Sequence, residues 1–496
     1  MTTSVMVFAV TAGIAFFGLP ESLLGQPATT AQKVKRANEL IQAGKPDEAI
    51  PIYQELVAAF PSEPAFGVNL AIAQYKAGRY RDAIAQCGAL LKRKDDLFPA
   101  WLFLGASQFE LGDMSNAAPA LQKALALEPA DLNARVMLGD ALLEQGQPAE
   151  AAAHFEEAAE AMPDNPRVLY GLGRSYEALA KAAFLRLEEA APGSPDWLAL
   201  GGDVELDLGQ YTRAFQRYRL ALKLRPAFGG IHTAIALLYE RTGHPDWAAV
   251  ERQREPPSSA DCQSAPLACE FAAGHLREIL SSGATNPEEM YWQSKAWRAL
   301  SQRAYTSLQE LPPSPERFEA AAGAYESNGR YPEAAAAWRD ALQLSPRNGR
   351  IQQRLALALC RANDCRSALP IIEDLLARDS SSAALNLLYG TALDSLQEPG
   401  RALRYLETAV KLDGHLLPAR AALAEAYLKA GKPALAIPQL EAAMANDDDG
   451  RRHYQLGRAY QMAGKQDQAA AVLREYREIL RRRETADADE PRITPP

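Results

Sequence analysis

Residues 101–129 read WLFLGASQFELGDMSNAAPALQKALALEP, and their pattern decides the fold. Trp101, Leu104, Phe109 and Leu111 recur near helical spacing, and Gly112 ends that helix. A second helix follows, with Ala117, Leu121 and Ala124 on one face, and Pro129 closes it. The stretch is therefore a helical hairpin. Gly105, Ala117 and Ala124 are small where two helix backbones must approach closely, since a larger side chain would wedge them apart.

The hairpin recurs along the chain. A Gly, then an aromatic or Pro two residues on, then an Ala three later, marks each copy. The alanines are Ala49, Ala83, Ala117 and Ala151, then Ala214 and Ala248, then Ala334, Ala368, Ala402, Ala436 and Ala469. Within each run the step is 34 residues, except 33 at the last. A fixed period of this size means stacked supersecondary units.

The chain resembles the tetratricopeptide repeat family. That family's pattern runs Trp, Leu-Gly, Tyr, then Ala, Phe, Ala, Pro over 34 residues. The third unit matches with Trp101, Leu104, Gly105, Ala117, Leu121, Ala124 and Pro129, and has Gln108 in place of the Tyr. The fourth matches with Leu138, Gly139, Ala151, Phe155, Ala158 and Pro163. Tyr325, Gly329, Tyr331, Ala334, Trp338, Ala341 and Pro346 carry a later unit, and Leu456, Gly457, Tyr460, Gly464, Ala469 and Leu473 the last. The resemblance implies an all-α fold, a right-handed superhelical α-solenoid, whose first helices line a concave binding face. The matching residues are packing residues, so they say little about a partner.

Two stretches break the period. Residues 166–194 and 287–315 lack the glycine turn, and they align at a shift of 121: Tyr170 with Tyr291, Leu179 with Leu300, Ala183 with Ala304, Leu187 with Leu308. A duplication of a two- or three-unit block accounts for this. The stripe from Leu169 to Ala190 is unbroken, which favours one long helix over a hairpin turning near Ala180, with Ser301 the equivalent point in the second stretch.

These signals divide the chain of 496 residues. Residues 1–25 read as a signal peptide, because Val5–Leu19 is apolar but too short for a membrane span, although no Lys or Arg precedes Lys33. Residues 30–254 and 286–484 are two solenoid segments, 255–285 an irregular loop with a degenerate hairpin, and 485–496 a disordered tail. Export to a periplasmic or envelope setting follows from the first of these readings, and a cytoplasmic one if the start is misassigned. No integral membrane span is expected once the signal is removed. The expected setting is bacterial-type.

Among the five cysteines, Cys262 with Cys269 and Cys360 with Cys365 are disulfide candidates, against the alternative of buried thiols. Cys87 reads as a small buried hydrophobe. None has paired metal-site spacing, and the six histidines are scattered, so no metal and no cofactor is expected. Phosphate-cradling and nucleophile-elbow motifs are absent from the sequence, and an enzyme is not expected. The net charge of −9 and pI near 5.4 disfavour nucleic acid.

The concave face is the expected site. One ladder runs Val34, Val68, Leu102, Val136, and a second runs Ile41, Tyr75, Phe109, Leu143, with Ile72 between them. Further along, the second ladder becomes Glu177, Leu206, Glu240, then Glu326, Cys360, Asp394. The groove therefore reads as apolar in the first four repeats and acidic later. Val68, Ile72, Tyr75, Leu102, Phe109, Val136 and Leu143 are the candidate contacts for a protein or peptide, unless the superhelix curls tightly enough to fill its own groove. The clamp by which related chaperone adaptors hold acidic tails is absent: Val34, Val68 and Leu102 stand where lysines would, and only Asn38 fits. The expected function is a non-enzymatic scaffold, of the kind used in envelope assembly or polysaccharide export. The alternatives are a carbohydrate-associated or catalytic protein and a purely structural oligomer.

Overall fold

The computed structural model describes residues 28–255, 266–281, 283–444, 447, 449–487 and 493–496. Among the described residues there are 26 helices and no strand. Four hairpins form the first arm: α1 (Ala28–Gln42) with α2 (Pro46–Ala59), α3 (Pro64–Lys76) with α4 (Tyr80–Leu91), α5 (Phe98–Glu110) with α6 (Met114–Leu127), and α7 (Leu132–Glu144) with α8 (Pro148–Ala161). A long helix, α9 (Pro166–Ala190), follows. Next come α10 (Pro195–Asp207) with α11 (Tyr211–Leu224), α12 (Ile231–Arg241) with α13 (Pro245–Gln253), the short α14 (Pro266–Ala273) and α15 (Leu276–Ser281), and the second long helix, α16 (Pro287–Glu310). The last arm pairs α17 (Pro315–Ser327) with α18 (Tyr331–Leu344), α19 (Gly349–Arg361) with α20 (Cys365–Arg378), α21 (Ala383–Ser395) with α22 (Pro399–Leu412), α23 (Leu417–Lys429) with α24 (Pro433–Ala442), and α25 (Arg451–Met462) with α26 (Gln466–Asp487).

The hairpin turns repeat to within a few degrees. Gly44, Gly78, Gly112 and Gly146 have φ of +72°, +75°, +77° and +75°. This left-handed conformation lets the next residue's N–H reach back to a helix carbonyl, as Arg79 N does to Gln74 O at 2.8 Å. The periodic alanines sit at the helix crossings. Ala49, Ala83, Ala117, Ala151, Ala214, Ala248, Ala334, Ala368, Ala402 and Ala436 are fully buried. Gly105 is hemmed in the same way, since a Cβ there would lie 2.7 Å from Leu121 Cγ.

The two irregular stretches are single helices, of 25 and 24 residues, and they pack on each other along their length. The pairing is antiparallel. Ser301 Oγ donates to the Gly173 carbonyl at 2.9 Å and Ser294 Oγ to the Ala180 carbonyl at 3.0 Å. Adding the shift of 121 to 173 and 180 gives 294 and 301, so the duplication converts one contact into the other. Tyr176 and its equivalent Trp297 stack with ring centroids 5.4 Å apart, close to this local two-fold. The duplicated helices thus form an isologous interface within one chain.

This hub organises the rest. Its α9 start and α16 end carry the two arms, since α8 and α7 pack on α9 and α17 packs on both long helices. Its other end is wrapped by α10 to α15, where Phe228, Phe271, Tyr291 and Trp292 form one aromatic cluster. Lys295 lies among these rings, 3.3 Å from Asp203. The C-terminal residues, read from sequence as a structureless tail, return to this end: α26 continues to Asp487, Ile493 packs against the cluster, and the Tyr239 hydroxyl donates to the Thr494 carbonyl at 2.7 Å.

Candidate functional site

The apolar ladder is not an open groove. Val68, Ile72, Val136 and Leu143 are buried. Leu102, Tyr75 and Phe109 are half-buried and packed against the same core, with Tyr75 edge-on to Phe103 at 5.4 Å. The expectation of an exposed apolar stripe is therefore corrected, and the reason is twofold. The superhelix is wound tightly enough that neighbouring first helices cover these side chains, and the last arm faces what remains. Arg81 at the start of α4 reaches across to Asp379 at 2.7 Å and to Ser381, both after α20.

Between the arms lies a charged channel. Its floor is the hub, through Arg167, Tyr170 and Arg174 of α9 and Tyr305 of α16. One wall is the ends of α5 and α7, with Glu110, Asp140 and Glu144. The other is α17 and α19, with Glu319, Glu326, Arg350 and Arg354. The walls and the floor act on one another electrostatically: the Arg350 charge is felt at Glu110 across from it, and the Arg174 charge of the floor at Glu319. Burial pushes the Tyr170 hydroxyl up to about 12.

Each arginine already holds a carboxylate. Arg167 pairs with Asp140 at 2.6 Å, Arg174 with Glu144 at 2.7 Å, Arg350 with Glu319 at 2.6 Å, and Arg354 with Glu326 at 2.6 Å. These pairs tie neighbouring first helices together, α7 to α9 and α17 to α19, and the arginine side chains stay partly exposed. Glu110 differs. Burial holds its carboxyl above the usual range, against the opposing pull of Arg167 and Arg350. The folded protein thus binds this proton more readily than the unfolded chain, so stability from it falls as pH rises through the folded value. Glu110→Gln is expected to raise the melting temperature at about pH 7.5 and to leave it unchanged at about pH 4. Differential scanning fluorimetry at the two pH values checks this.

Glu326 belongs to the acidic part of the expected ladder, as does Glu177, which accepts from Tyr305 at 3.2 Å. The sequence reading missed Glu110, Asp140 and the four arginines. Their signal was present, as charges on the inward face of first helices, but it acquires meaning only once the arms are known to face each other.

The remaining candidates are structural. Cys360 and Cys365 are joined by a disulfide across the α19–α20 turn, with Cα atoms 4.2 Å apart. Cys269 lies on α14, and Cys262 lies outside the described residues. Cys87 is fully buried, and burial pushes its thiol up to about 12, which keeps it unreactive. Among the described residues no cluster of His, Cys, Asp and Glu is placed to hold a metal ion, and no helix is long and apolar enough to cross a membrane.

A curated relative, the Hsp70-Hsp90 organizing protein of Triticum aestivum, is 31% identical over 106 residues, which are 21% of this chain and 18% of that protein. The chain thus spans less than a fifth of that relative's length. Among solved structures, the APC/C hetero-tetramer Cut9–Hcn1 is 13% identical, covering 91% of this chain and 94% of that one, with a TM-score of 0.34. Yeast Tom70 is 15% identical, covering 91% and 92%, with a TM-score of 0.29. A tetratricopeptide repeat protein of Parabacteroides merdae is 12% identical, covering 67% and 100%, with a TM-score of 0.33. Profiles of one family match residues 40–104 and 108–153, 136–195, 285–437 and 450–475, each described as tetratricopeptide repeat. With the 34-residue step, the buried alanines and the left-handed glycine turns, these matches settle the family: the chain belongs to the tetratricopeptide repeat proteins.

Proposed function

We propose that this protein is a non-catalytic scaffold that holds a segment of another polypeptide in the channel between its two arms. The repeat fold supports a protein-interaction role in general. The observation that carries the specific reading is the paired-arm geometry. Inward side chains of α5, α7 and α9 confront those of α17 and α19 across a charged, tyrosine-lined space, closed at its rim by the Arg81–Asp379 contact. Exposed ion pairs of this kind are worth about 1 kcal/mol or less, so the rim is a weak closure that an entering chain can displace.

Photo-crosslinking tests the site. With a benzophenone amino acid replacing Tyr170 or Tyr305 in the native host, adducts to a second protein are expected. The same group at exposed Leu224, on α11, is expected to give none. Adducts from Leu224 alone would remove the channel as the site.

We further propose an exported setting, in envelope assembly or polysaccharide export. The apolar run Val5–Leu19, outside the described residues, supports it, and so does the Cys360–Cys365 disulfide, a bond that persists chiefly in oxidising compartments. Intact-mass analysis of protein from the host envelope fraction is expected to show loss of the N-terminus to about Gly25. A full-length mass would overturn export with cleavage.

A further inference from the structure

One position in the second helices departs from its repeats at the far end of the hub. Five residues after the repeat alanine, Glu156, Glu407 and Glu441 each accept from a tyrosine hydroxyl of the next helix: Tyr176 at 2.7 Å, Tyr427 at 2.8 Å and Tyr460 at 2.5 Å. Between α11 and α12 the tyrosine is present, as Tyr239, but the position holds Arg219. A guanidinium has only donors, so it cannot take the hydroxyl proton. Tyr239 is 1% exposed, and a buried phenol needs an acceptor. The Glu251 carboxylate acts on this hydroxyl, but it is already engaged by His232 at 2.6 Å and by Arg254 at 3.4 Å.

Thr494 supplies what the repeat lacks. Its carbonyl accepts from the Tyr239 hydroxyl at 2.7 Å. Ile493 beside it packs against the apolar cluster that contains Phe215, Ile235 and Tyr239. Pro495 and Pro496 follow. They carry no N–H to leave unpaired, and their rings restrict the undocked chain, so seating this segment costs less entropy than seating an ordinary one.

We infer that α12 carries a docking site for an extended apolar segment, and that its occupant is Ile493–Pro496 of the same chain, which straps the last arm to the hub. Five residues separate Asp487, the end of α26, from Ile493, and the connection spans at most about 20 Å. A seated Ile493 therefore holds the end of the last arm near α12. The strap joins residues 255 positions apart, across all the hairpins of that arm.

A benzophenone amino acid replacing Pro496 in the full chain tests this, with the adducts located by peptide mapping. Same-chain adducts confined to α11–α13 are expected. Arg219→Glu, on an exposed side chain, restores the acceptor that the other repeats use, and is expected to cut their yield about 5-fold, the worth of one neutral hydrogen bond. Arg219→Ala leaves the hydroxyl without a rival acceptor and is expected to change the yield less than about 2-fold. Equal yields for the parent and Arg219→Glu, or equal loss with Arg219→Ala, would overturn the hydroxyl as the anchor. Adducts joining two copies would overturn the same-chain strap. Adducts spread along the chain, or none on α11–α13, would overturn the docking site.

Discussion

Phe155→Ala is expected to destabilise the first arm by about 3–5 kcal/mol, the range for removing a fully buried aromatic side chain. Phe155 has no exposed surface, and its ring fills two notches at once. A Cβ at Gly139 of α7 would lie 2.9 Å from the ring, and one at Gly171 of α9 only 2.4 Å. The ring is therefore the knob that locks α8 to the repeat before it and to the hub after it. Its loss leaves facing glycines that cannot move together to fill the space, because each is pinned within its own helix. In a solenoid the damage stays near its source, since each repeat contacts mainly its neighbours. Hydrogen exchange is expected to accelerate in α5 to α9 and to remain unchanged in α21 to α26. Phe155→Leu, which keeps most of the volume, is expected to lose clearly less. Unchanged exchange in α7 and α9 for Phe155→Ala would refute this account of how the first arm is fastened.

That prediction rests on features legible in the sequence. The first-helix glycine and the bulky residue sixteen positions later are a repeated instruction, visible in Gly105 with Leu121, Gly139 with Phe155, Gly390 with Leu406 and Gly457 with Leu473. Local packing of this kind recurs at a fixed step, so periodicity exposes it. The shift of 121 that relates Tyr176 to Trp297 was legible too, but its consequence was not. An alignment says that two stretches are alike. It does not say that they touch, and here they stack on each other. The site shows the same limit. Tyr75 and Phe109 pack against the core of their own arm, and their neighbours Tyr80 and Glu110 are acted on by residues 200 or more positions away, Arg378 and Arg350. Solenoid curvature accumulates from small rotations at every hairpin, and no single motif encodes the sum. The apolar groove was read from one arm alone, as if the other were absent.

The hub is where that accumulated geometry is fixed, and Gly173→Leu is expected to disturb it most directly. A Cβ at Gly173 would lie 2.6 Å from Tyr305 Cε1 and 2.8 Å from Cζ. The ring cannot simply yield, because it also donates to Glu177 at 3.2 Å and lies against Tyr170, with centroids 6.5 Å apart. A leucine therefore forces α9 and α16 apart at the end that carries both arms, and it strains the Ser301 bond to the Gly173 carbonyl. Overpacking of a well-filled contact costs about 1–3 kcal/mol. A small separation at the hub becomes a larger one at the rim, so the radius of gyration in solution scattering is expected to rise while helix content by circular dichroism stays the same. Two comparisons isolate the cause. Gly88→Ala, at a helical glycine with open space around it, is expected to be neutral or to stabilise by up to about 1 kcal/mol. Adding Tyr305→Ala to Gly173→Leu is expected to recover part of the loss, because the cavity left by the ring accepts the leucine. If Gly173→Leu instead scatters and melts like the parent protein, the close contact of the two long helices does not set the opening between the arms.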